Sequence, residues 1–182
     1  MNTLIADDHA LVLEGLKIVL RQLNSNVNVL EWADLPSAME LSAELVAGGE
    51  ALDLAILDLR MPGMNGSAGI EAFCRRSSDT PVVVLSGNYQ RQDVLECFRR
   101  GASGFIPKGL GTKAMTNAIE LVLEGGNFLP ADILSEQLED DDLQIANSTL
   151  DAHSLLRNLT KRDPHCRVGT GRRPRGSTAR ST

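Results

Sequence analysis

The sequence predicts an α/β fold with a five-stranded parallel sheet and helices on both faces. Between residues 1 and 126, short apolar runs alternate five times with longer amphipathic segments, and the connections are only a few residues long. Such alternation favours parallel strands joined by right-handed crossovers. The run Pro81–Leu85 is almost wholly apolar, as expected of a strand that helices cover on both sides.

Each element has its own signal in the chain. Leu13, Leu16 and Leu20 show the three-and-four spacing of a helix packed on a sheet. Pro36 suits the first turn of a helix, and Gly101 follows the end of another. The predicted strands are Thr3–Ala6, Val27–Trp32, Leu52–Asp58, Pro81–Leu85 and Gly104–Ile106. The predicted helices are Leu11–Gln22, Leu35–Ala47, Ser67–Arg76, Arg91–Arg100 and Thr112–Glu124.

The chain changes character beyond the last predicted helix. Residues 1–126 form the predicted domain, and residues 127–160 are an acidic linker in which Leu143–Leu159 could form one short helix. Residues 161–182 are rich in Arg, Gly and Pro and have almost no large apolar side chains. Such a segment cannot bury enough surface to offset the entropy of ordering it, so we predict a disordered basic tail.

Composition excludes several classes of protein. Aromatic residues make up only 3%, too few for a platform that stacks single-stranded nucleic acid. No apolar run approaches the roughly 20 residues of a membrane-spanning helix, and the start of the chain lacks the pattern of a signal peptide. The three cysteines lie far apart, which fits neither a disulfide framework nor a metal cluster. We therefore expect a protein of the reducing cytoplasm.

Polar residues follow four of the five predicted strands. Asp7 and Asp8 follow the first strand, Asp58 ends the third, Ser86 follows the fourth and Lys108 follows the fifth. Parallel strands end at one rim of the sheet, where such folds place their ligands. Three carboxylates crowded together repel one another, and a hard divalent cation such as Mg²⁺ relieves that repulsion. The rim is therefore the candidate site.

The residue types at this rim favour phosphoryl transfer to an aspartate. Asp58 is the predicted nucleophile, which would form an acyl phosphate. Lys108 supplies a cation and Ser86 a hydroxyl donor for the phosphoryl oxygens, and the reaction needs mainly positioning and charge stabilisation. No glycine-rich nucleotide-binding loop follows the first strand, which disfavours the nucleotide-binding proteins of this architecture.

These residues and their spacing resemble the receiver domain of two-component response regulators over residues 1–126. The matching stretches are Asp7-Asp8, Asp58-Leu59-Arg60-Met61-Pro62 with Gly66, Ser86-Gly87, Phe105 and Pro107-Lys108. The resemblance implies a flavodoxin-like, doubly wound (βα)5 fold with the strand order 2-1-3-4-5. It also implies that Asp58 takes its phosphoryl group from a histidine of a sensor histidine kinase.

The resemblance assigns further roles. It implies that Asp7, Asp8, Asp58 and the backbone carbonyl of Arg60 hold Mg²⁺.

Ser86 and Phe105 would form the switch pair, in which Ser86 turns toward the phosphoryl group and Phe105 moves inward behind it. Arg60 and Asn88 would flank the water that hydrolyses the acyl phosphate and so set its lifetime.

Within this family, Asp7-Asp8-His9 and Gly125-Gly126-Asn127-Phe128-Leu129-Pro130 resemble the LuxR/NarL-type transcription regulators. Those proteins carry a helix-turn-helix DNA-binding domain, which typically opens with Leu-Thr-x-Arg-Glu. Leu159-Thr160-Lys161-Arg162 begins in this way, but Pro164 interrupts the helix at a cost of about 3 kcal/mol. The effector region is therefore expected to be truncated or altered, with a frame change in the gene as one hypothesis.

Two outputs stay open. One is a phosphorylation-controlled DNA-binding transcription regulator, with DNA as a partner only if the native gene encodes an intact effector domain. The other is a stand-alone receiver that acts through protein contacts or as a phosphate sink. A homodimer also stays open, with the helix Thr112–Glu124 as the candidate interface.

Three competing interpretations are weaker. A haloacid dehalogenase-type phosphatase needs a second acid where Arg60 stands, so the protein is not expected to be an enzyme beyond catalysing its own phosphorylation and dephosphorylation. His9 could be a metal ligand, but an exposed histidine at a helix start is favoured. His165-Cys166 lacks the matching pair that a zinc site needs. Trp32 is expected to lie in the core.

Overall fold

The computed structural model describes residues 1–135, which form one five-stranded sheet flanked by helices. All four strand pairs are parallel, and the strand order is β2-β1-β3-β4-β5. The strands are β1 Asn2–Ala6, β2 Asn28–Trp32, β3 Leu54–Asp58, β4 Val82–Ser86 and β5 Gly104–Pro107. The helices are α1 Ala10–Leu23, α2 Leu35–Ala47, α3 Ser67–Arg76, α4 Arg91–Arg99, α5 Thr112–Leu123 and α6 Asp132–Ser135. The predicted fold class and strand order are confirmed.

The predicted boundaries differ from the observed ones mainly at the strands. The third strand begins at Leu54, two residues later than predicted, because its pairing with β1 starts there, opposite Thr3. The fifth strand extends to Pro107, which fits an edge strand because proline lacks the N–H that a central ladder needs.

Two apolar cores lie on opposite faces of the sheet. Successive residues of a strand point to opposite faces, so Ala55 and Leu57 of β3 join one core while Leu54 and Ile56 join the other. The first core contains Ile70 and Phe73 of α3 together with Val94 and Phe98 of α4. The second contains Leu16, Val19 and Leu20 of α1 together with Ala118, Ile119 and Val122 of α5. All five residues of β3 and of β4 are buried, which fixes the middle of the sheet.

The expectation that Trp32 lies in the core is only half right. Trp32 ends the edge strand β2, whose residues are exposed or only partly buried, and its ring is itself partly buried. Its indole Nε1–H donates to the Ser37 carbonyl at 2.6 Å. An edge strand is covered incompletely, so this ring packs against the margin of the first core.

The chain returns to the sheet after α5. The Phe105 N–H donates to the Phe128 carbonyl at 2.9 Å, and the Phe128 N–H donates to the Ser103 carbonyl at 3.2 Å. Farther on, Ile133 of α6 is 5% exposed and joins the first core. Residues 127–135 therefore lie against the domain. The possible helix Leu143–Leu159 and the basic tail 161–182 lie outside the described residues.

None of the helices within residues 1–135 combines the length and apolar character needed to cross a membrane.

Candidate functional site

The topology brings the predicted polar residues to one rim of the sheet. Asp58 is the last residue of β3 and Ser86 the last of β4, and both are buried. Asp7 directly follows β1 and is completely buried, whereas Asp8 is exposed. The Leu59 N–H donates to the Leu85 carbonyl at 2.9 Å, so pairing between β3 and β4 continues just past Asp58 and fixes its backbone.

Lys108 connects the two buried acids. Its Nζ lies 2.7 Å from Oδ2 of Asp7 and 3.1 Å from Oδ2 of Asp58. The Lys108 N–H donates to the Ser86 carbonyl at 2.9 Å, which directs this residue back toward the rim. Burial lowers the pKa of Lys108, but the two carboxylates more than offset that effect and hold the pKa above its ordinary value. The ammonium is therefore the charged partner of both acids.

The acidic residues fit a hard divalent cation. Oδ2 of Asp7 and Oδ2 of Asp58 are buried and, although close to Lys108, accept no properly directed hydrogen bond from any of the described residues. Asp7, Asp8, His9 and Asp58 can each offer one ligand atom, and these atoms all lie within 4.8 Å of one another. Octahedral ligands about 2.1 Å from a metal are separated by about 3 to 4 Å, so modest movement would suffice. The two buried carboxylates share the single positive charge of Lys108, and such a cation would balance the second negative charge.

His9 lies against this cluster, which the sequence interpretation did not favour. As predicted, it is exposed and is the N-cap residue of α1. Its ring nevertheless turns toward the acids, with Nδ1 2.7 Å from Oδ1 of Asp8 and 3.0 Å from Oδ1 of Asp7. The His9 N–H also donates to Oδ1 of Asp7 at 2.9 Å. The adjacency of the histidine to two acids was the available sequence signal.

Ser86 and Phe105 occupy defined positions behind the rim. The Ser86 hydroxyl donates to the Asn88 carbonyl at 2.8 Å. Phe105 of β5 is completely buried, so its ring already points inward. The ring of Tyr89 meets it edge-on, with ring centroids 5.0 Å apart and an interplanar angle of 62°. The inward ring and the locally bonded hydroxyl therefore coexist in this structure.

Arg60 lies in the loop between β3 and α3, shortly after Asp58. Arg60 and Asn88, the two residues predicted to control phosphate lifetime, are both exposed. Gly63 has a φ of +78°, and a Cβ at this position would lie 2.5 Å from Cδ of Pro36. The Leu35 N–H donates to the Pro62 carbonyl at 3.0 Å. Glycine therefore permits the close approach of this loop to the start of α2.

Tyr89 was not singled out by the sequence interpretation. Besides contacting Phe105, its hydroxyl donates to Oδ2 of Asp132 in α6 at 2.8 Å. Burial and this carboxylate raise the pKa of Tyr89 to about 12. The Arg91 Nε–H donates to the Ile133 carbonyl at 3.3 Å, so two polar contacts hold α6 beside the switch residues. No local pattern could have revealed contacts between residues more than 40 positions apart.

Comparison with known proteins accounts for this arrangement. The family model of the response regulator receiver domain matches residues 3–120. The chain belongs to this family. The match covers both buried acids, Ser86, Phe105 and Lys108, and it confirms the resemblance drawn from the sequence.

The relatives are response regulators of the LuxR/NarL type. The chain is 37% identical over 159 residues to the glycerol metabolism activator of Pseudomonas putida, which covers 87% of this chain and 70% of that protein. The receiver domain of the putative response regulator NarL from Mycobacterium tuberculosis is 32% identical, with a TM-score of 0.57, covering 68% of this chain and 96% of that one. A LuxR family DNA-binding response regulator from Silicibacter pomeroyi is 28% identical, with a TM-score of 0.59, covering 72% and 98%.

The chain spans between 60% and 70% of the length of the first three curated relatives it matches. The described part is a receiver domain of a two-component response regulator related to the LuxR/NarL-type regulators.

Proposed function

We propose that this receiver accepts a phosphoryl group on Asp58 from a phosphohistidine of a sensor histidine kinase, in a Mg²⁺-dependent reaction. The observation that carries the proposal is the buried Asp58 carboxylate, which ends the central strand β3 beside Lys108 and a second buried acid. A carboxylate oxygen of Asp58 attacks phosphorus while the phosphorus–nitrogen bond of the donor breaks, and the electron pair returns to the imidazole nitrogen.

Each neighbour of Asp58 has a part in this step. Lys108, which lies 3.1 Å from the carboxylate, balances charge on the phosphoryl oxygens. Asp7, Asp8, Asp58 and the backbone carbonyl of Arg60 would hold Mg²⁺, which when bound offsets the negative charge of the acids and of the incoming group.

Phosphorylation would change the environment of the Ser86 hydroxyl. This hydroxyl now donates to the Asn88 carbonyl, and a phosphoryl group on Asp58 offers a stronger, charged acceptor. Rotation of Ser86 toward that acceptor frees the Asn88 carbonyl and alters the loop that leads to Tyr89. Phe105 is already inward, so the two states of this proposal differ in the orientation of Ser86, and the expected inward movement of Phe105 is not needed.

The acceptor is tested by exposing the full chain to acetyl phosphate and Mg²⁺ and measuring the intact mass. Wild type should gain the mass of one phosphoryl group, and Asp58→Asn should gain none. Asp79→Asn, an exposed acid outside the site, is the matched control and should be labelled like wild type. Persistent labelling of Asp58→Asn would show that another residue is the acceptor, and labelling that survives chelation of Mg²⁺ would contradict the metal requirement.

Arg60 and Asn88 are proposed to control how long the acyl phosphate survives. Both are exposed, and they lie two residues beyond Asp58 and Ser86 in the chain. We expect Arg60→Ala and Asn88→Ala to change the phosphate half-life several-fold while the Mg²⁺ affinity changes less than twofold, because neither side chain is a proposed metal ligand. Equal half-lives in wild type and both variants would remove this role.

We propose that the output of the parent protein is transcription regulation through DNA. The relatives support this: one is named as an activator and another as a LuxR family DNA-binding response regulator. In this view residues 1–126 are the receiver, residues 127–160 the linker and residues 161–182 a basic tail. The receiver would catalyse only its own phosphorylation and dephosphorylation, and we place it in the cytoplasm, where the sensor kinase presents its phosphohistidine.

The alternative output is protein contact or phosphate buffering by a stand-alone receiver. The sequence feature that favours it is Pro164, a residue unfavourable inside a helix, which closely follows the Leu159–Arg162 stretch that begins like a helix-turn-helix domain. Sequencing the gene across the codons for residues 156–182 and translating all three frames distinguishes the two outputs. A neighbouring frame that continues into a helix-turn-helix supports DNA binding, and its absence supports the stand-alone receiver.

A homodimer is the remaining proposal about partners. Leu11 and Ile18 of α1 and Leu121 of α5 are large apolar side chains that are 86%, 56% and 41% exposed. The helices α1 and α5 pack against each other on one side of the sheet, and their exposed apolar residues suit a second copy of the chain. Sedimentation equilibrium with and without the phosphoryl analogue beryllofluoride should show a monomer–dimer shift that Ile18→Glu abolishes.

A further inference from the structure

Residues 127–135, here called the strap, run from the edge strand β5 to the start of α4. The Phe128 N–H donates to the Ser103 carbonyl at 3.2 Å, and the Phe128 carbonyl accepts from the Phe105 N–H at 2.9 Å. The strap therefore covers part of the edge that β5 would otherwise leave unpaired. At its far end, Ile133 of α6 is 5% exposed and belongs to the first core. The proposed phosphoryl transfer gives this segment no part.

Two polar contacts fasten α6, and both come from residues that closely follow β4. The Tyr89 hydroxyl donates to Oδ2 of Asp132 at 2.8 Å, whereas the Arg91 Nε–H donates to the Ile133 carbonyl at 3.3 Å. The first bond is shorter and has a charged acceptor, so it is the stronger of the two. Burial and the Asp132 carboxylate raise the pKa of Tyr89 to about 12, so the phenol keeps its proton at neutral pH and stays the donor.

Tyr89 is also connected to the proposed phosphorylation site. The Ser86 hydroxyl donates to the Asn88 carbonyl at 2.8 Å, and this carbonyl belongs to the peptide group that joins Asn88 to Tyr89. On the other side, the Tyr89 ring meets the buried Phe105 ring edge-on at 5.0 Å. A rotation of Ser86 toward a phosphoryl group on Asp58 therefore removes a donor from the peptide group that carries Tyr89.

We infer that Tyr89 and Asp132 form a latch that holds the strap closed in the unphosphorylated receiver and that phosphorylation of Asp58 breaks. The inference rests on the proposed phosphoryl transfer to Asp58. Once Ser86 turns away, the Asn88 carbonyl needs a new partner, and the peptide group reorients to find one. The phenol then moves off Asp132. The contacts of Phe128 and Ile133 persist, so α6 opens more often without detaching.

The first experiment measures hydrogen exchange of the full chain by mass spectrometry, in peptides that cover the strap. With Mg²⁺ and beryllofluoride, strap exchange in wild type should become about three- to tenfold faster, the effect of losing one hydrogen bond. Tyr89→Phe, which keeps the ring but lacks the hydroxyl, should exchange this fast from the start and gain less than twofold from beryllofluoride. Asp79→Asn alters an exposed acid elsewhere and should behave as wild type.

A double-mutant cycle tests whether Tyr89 acts through Asp132. Asp132→Ala should speed strap exchange as much as Tyr89→Phe does, and combining the two changes should add nothing, because each removes the same bond. Additive effects would overturn the latch, since the two side chains would then hold the strap separately. Circular dichroism would check that each variant is folded.

The second experiment measures the affinity for beryllofluoride by isothermal titration calorimetry with saturating Mg²⁺. Tyr89→Phe should bind it more tightly by the same factor that separates its strap exchange from wild type, because binding no longer has to break the latch. If wild type bound beryllofluoride and gained a phosphoryl group from acetyl phosphate, but its strap exchange stayed unchanged, only the latch would be overturned. If it did neither, the proposed phosphoryl transfer would fail and the inference with it.

Discussion

Replacing Lys108 by methionine tests whether this residue is the charge that allows two carboxylates to be buried. Methionine keeps much of the length and apolar body of the side chain but removes the ammonium. At an effective dielectric constant of about 20, the attractions at 2.7 and 3.1 Å are roughly 6 and 5 kcal/mol. Most of this offsets the cost of burying the charges. Removing one partner of a buried ion pair nevertheless costs about 3 to 5 kcal/mol, because the other charges are left uncompensated.

We expect Lys108→Met to lower the free energy of unfolding by about 3 kcal/mol, the lower end of that range, because the Lys108 side chain keeps 16% of its exposure. The assay is urea denaturation of the full chain followed by circular dichroism, in buffer with a chelator. Lys113→Met is the matched control: Lys113 is exposed, so the change should be within about 0.5 kcal/mol.

Two further measurements make the reasoning refutable. In the Lys108→Met background, Asp58→Asn should restore at least 1 kcal/mol, because it removes one of the two unpaired charges. Saturating Mg²⁺ should stabilise Lys108→Met more than it stabilises wild type, since the variant lacks the protein's own cation at this site. The reasoning would be refuted if Lys108→Met had the same urea midpoint as wild type and if Asp58→Asn changed the stability of both backgrounds equally. The ammonium would then not compensate the charge of the acids.

Two other predictions concern residues outside the chemical step. Tyr89 is the only tyrosine, so absorbance at alkaline pH reports its ionisation alone. We expect a midpoint near 12 that falls only part of the way toward 10 in Asp132→Asn, because burial, the larger cause of the raised pKa, remains. Because the pKa of Tyr89 is raised in the folded state, the stability linked to this residue is fully present below the unfolded pKa near 10 and is lost as the pH rises through about 12. An unchanged titration midpoint in Asp132→Asn would refute the contact between the two side chains. Gly69→Ala should destabilise the protein by about 1 to 3 kcal/mol, because its Cβ would lie 2.0 Å from the Met64 carbonyl oxygen. Gly15→Ala is also in a helix, but no heavy atom lies within 4 Å of its added Cβ, so it should stabilise the protein by about 0.5 to 1 kcal/mol. Thermal unfolding compares the two variants, and equal melting temperatures would contradict both predictions.

The contacts of α6 connect the linker region to the switch residues. Tyr89 touches Phe105 on one side and donates to Asp132 on the other, while Ile133 is buried in the first core. A change at Ser86 that moved the following loop would therefore act on Tyr89 and on the position of α6. The Tyr89 titration described above would report such a movement when repeated with beryllofluoride present.

The sequence predicted much of the rim because a parallel sheet leaves few choices. Once Asp58, Ser86 and Lys108 are placed at strand ends, their approach follows from the common direction of the strands. Helix boundaries were also close, with α2 and α3 as predicted, because proline, glycine and the apolar spacing act locally. The strands were less accurate, because the start of a strand depends on its partner: β3 begins at Leu54, which pairs with Thr3 of β1, 51 positions away along the chain.

By itself, then, the sequence determined the fold class, the strand order through its family resemblance, and the set of polar residues at the rim. Tertiary structure alone decided that Lys108 pairs with both buried acids, that the ring of His9 turns toward them, and that Tyr89 links Phe105 to α6. The physical reason is the distance along the chain over which each kind of interaction acts. Periodicity, turns and strand ends are set by neighbours in the chain, whereas ion pairing and side-chain orientation depend on which distant groups share a desolvated space and on how their charges balance there.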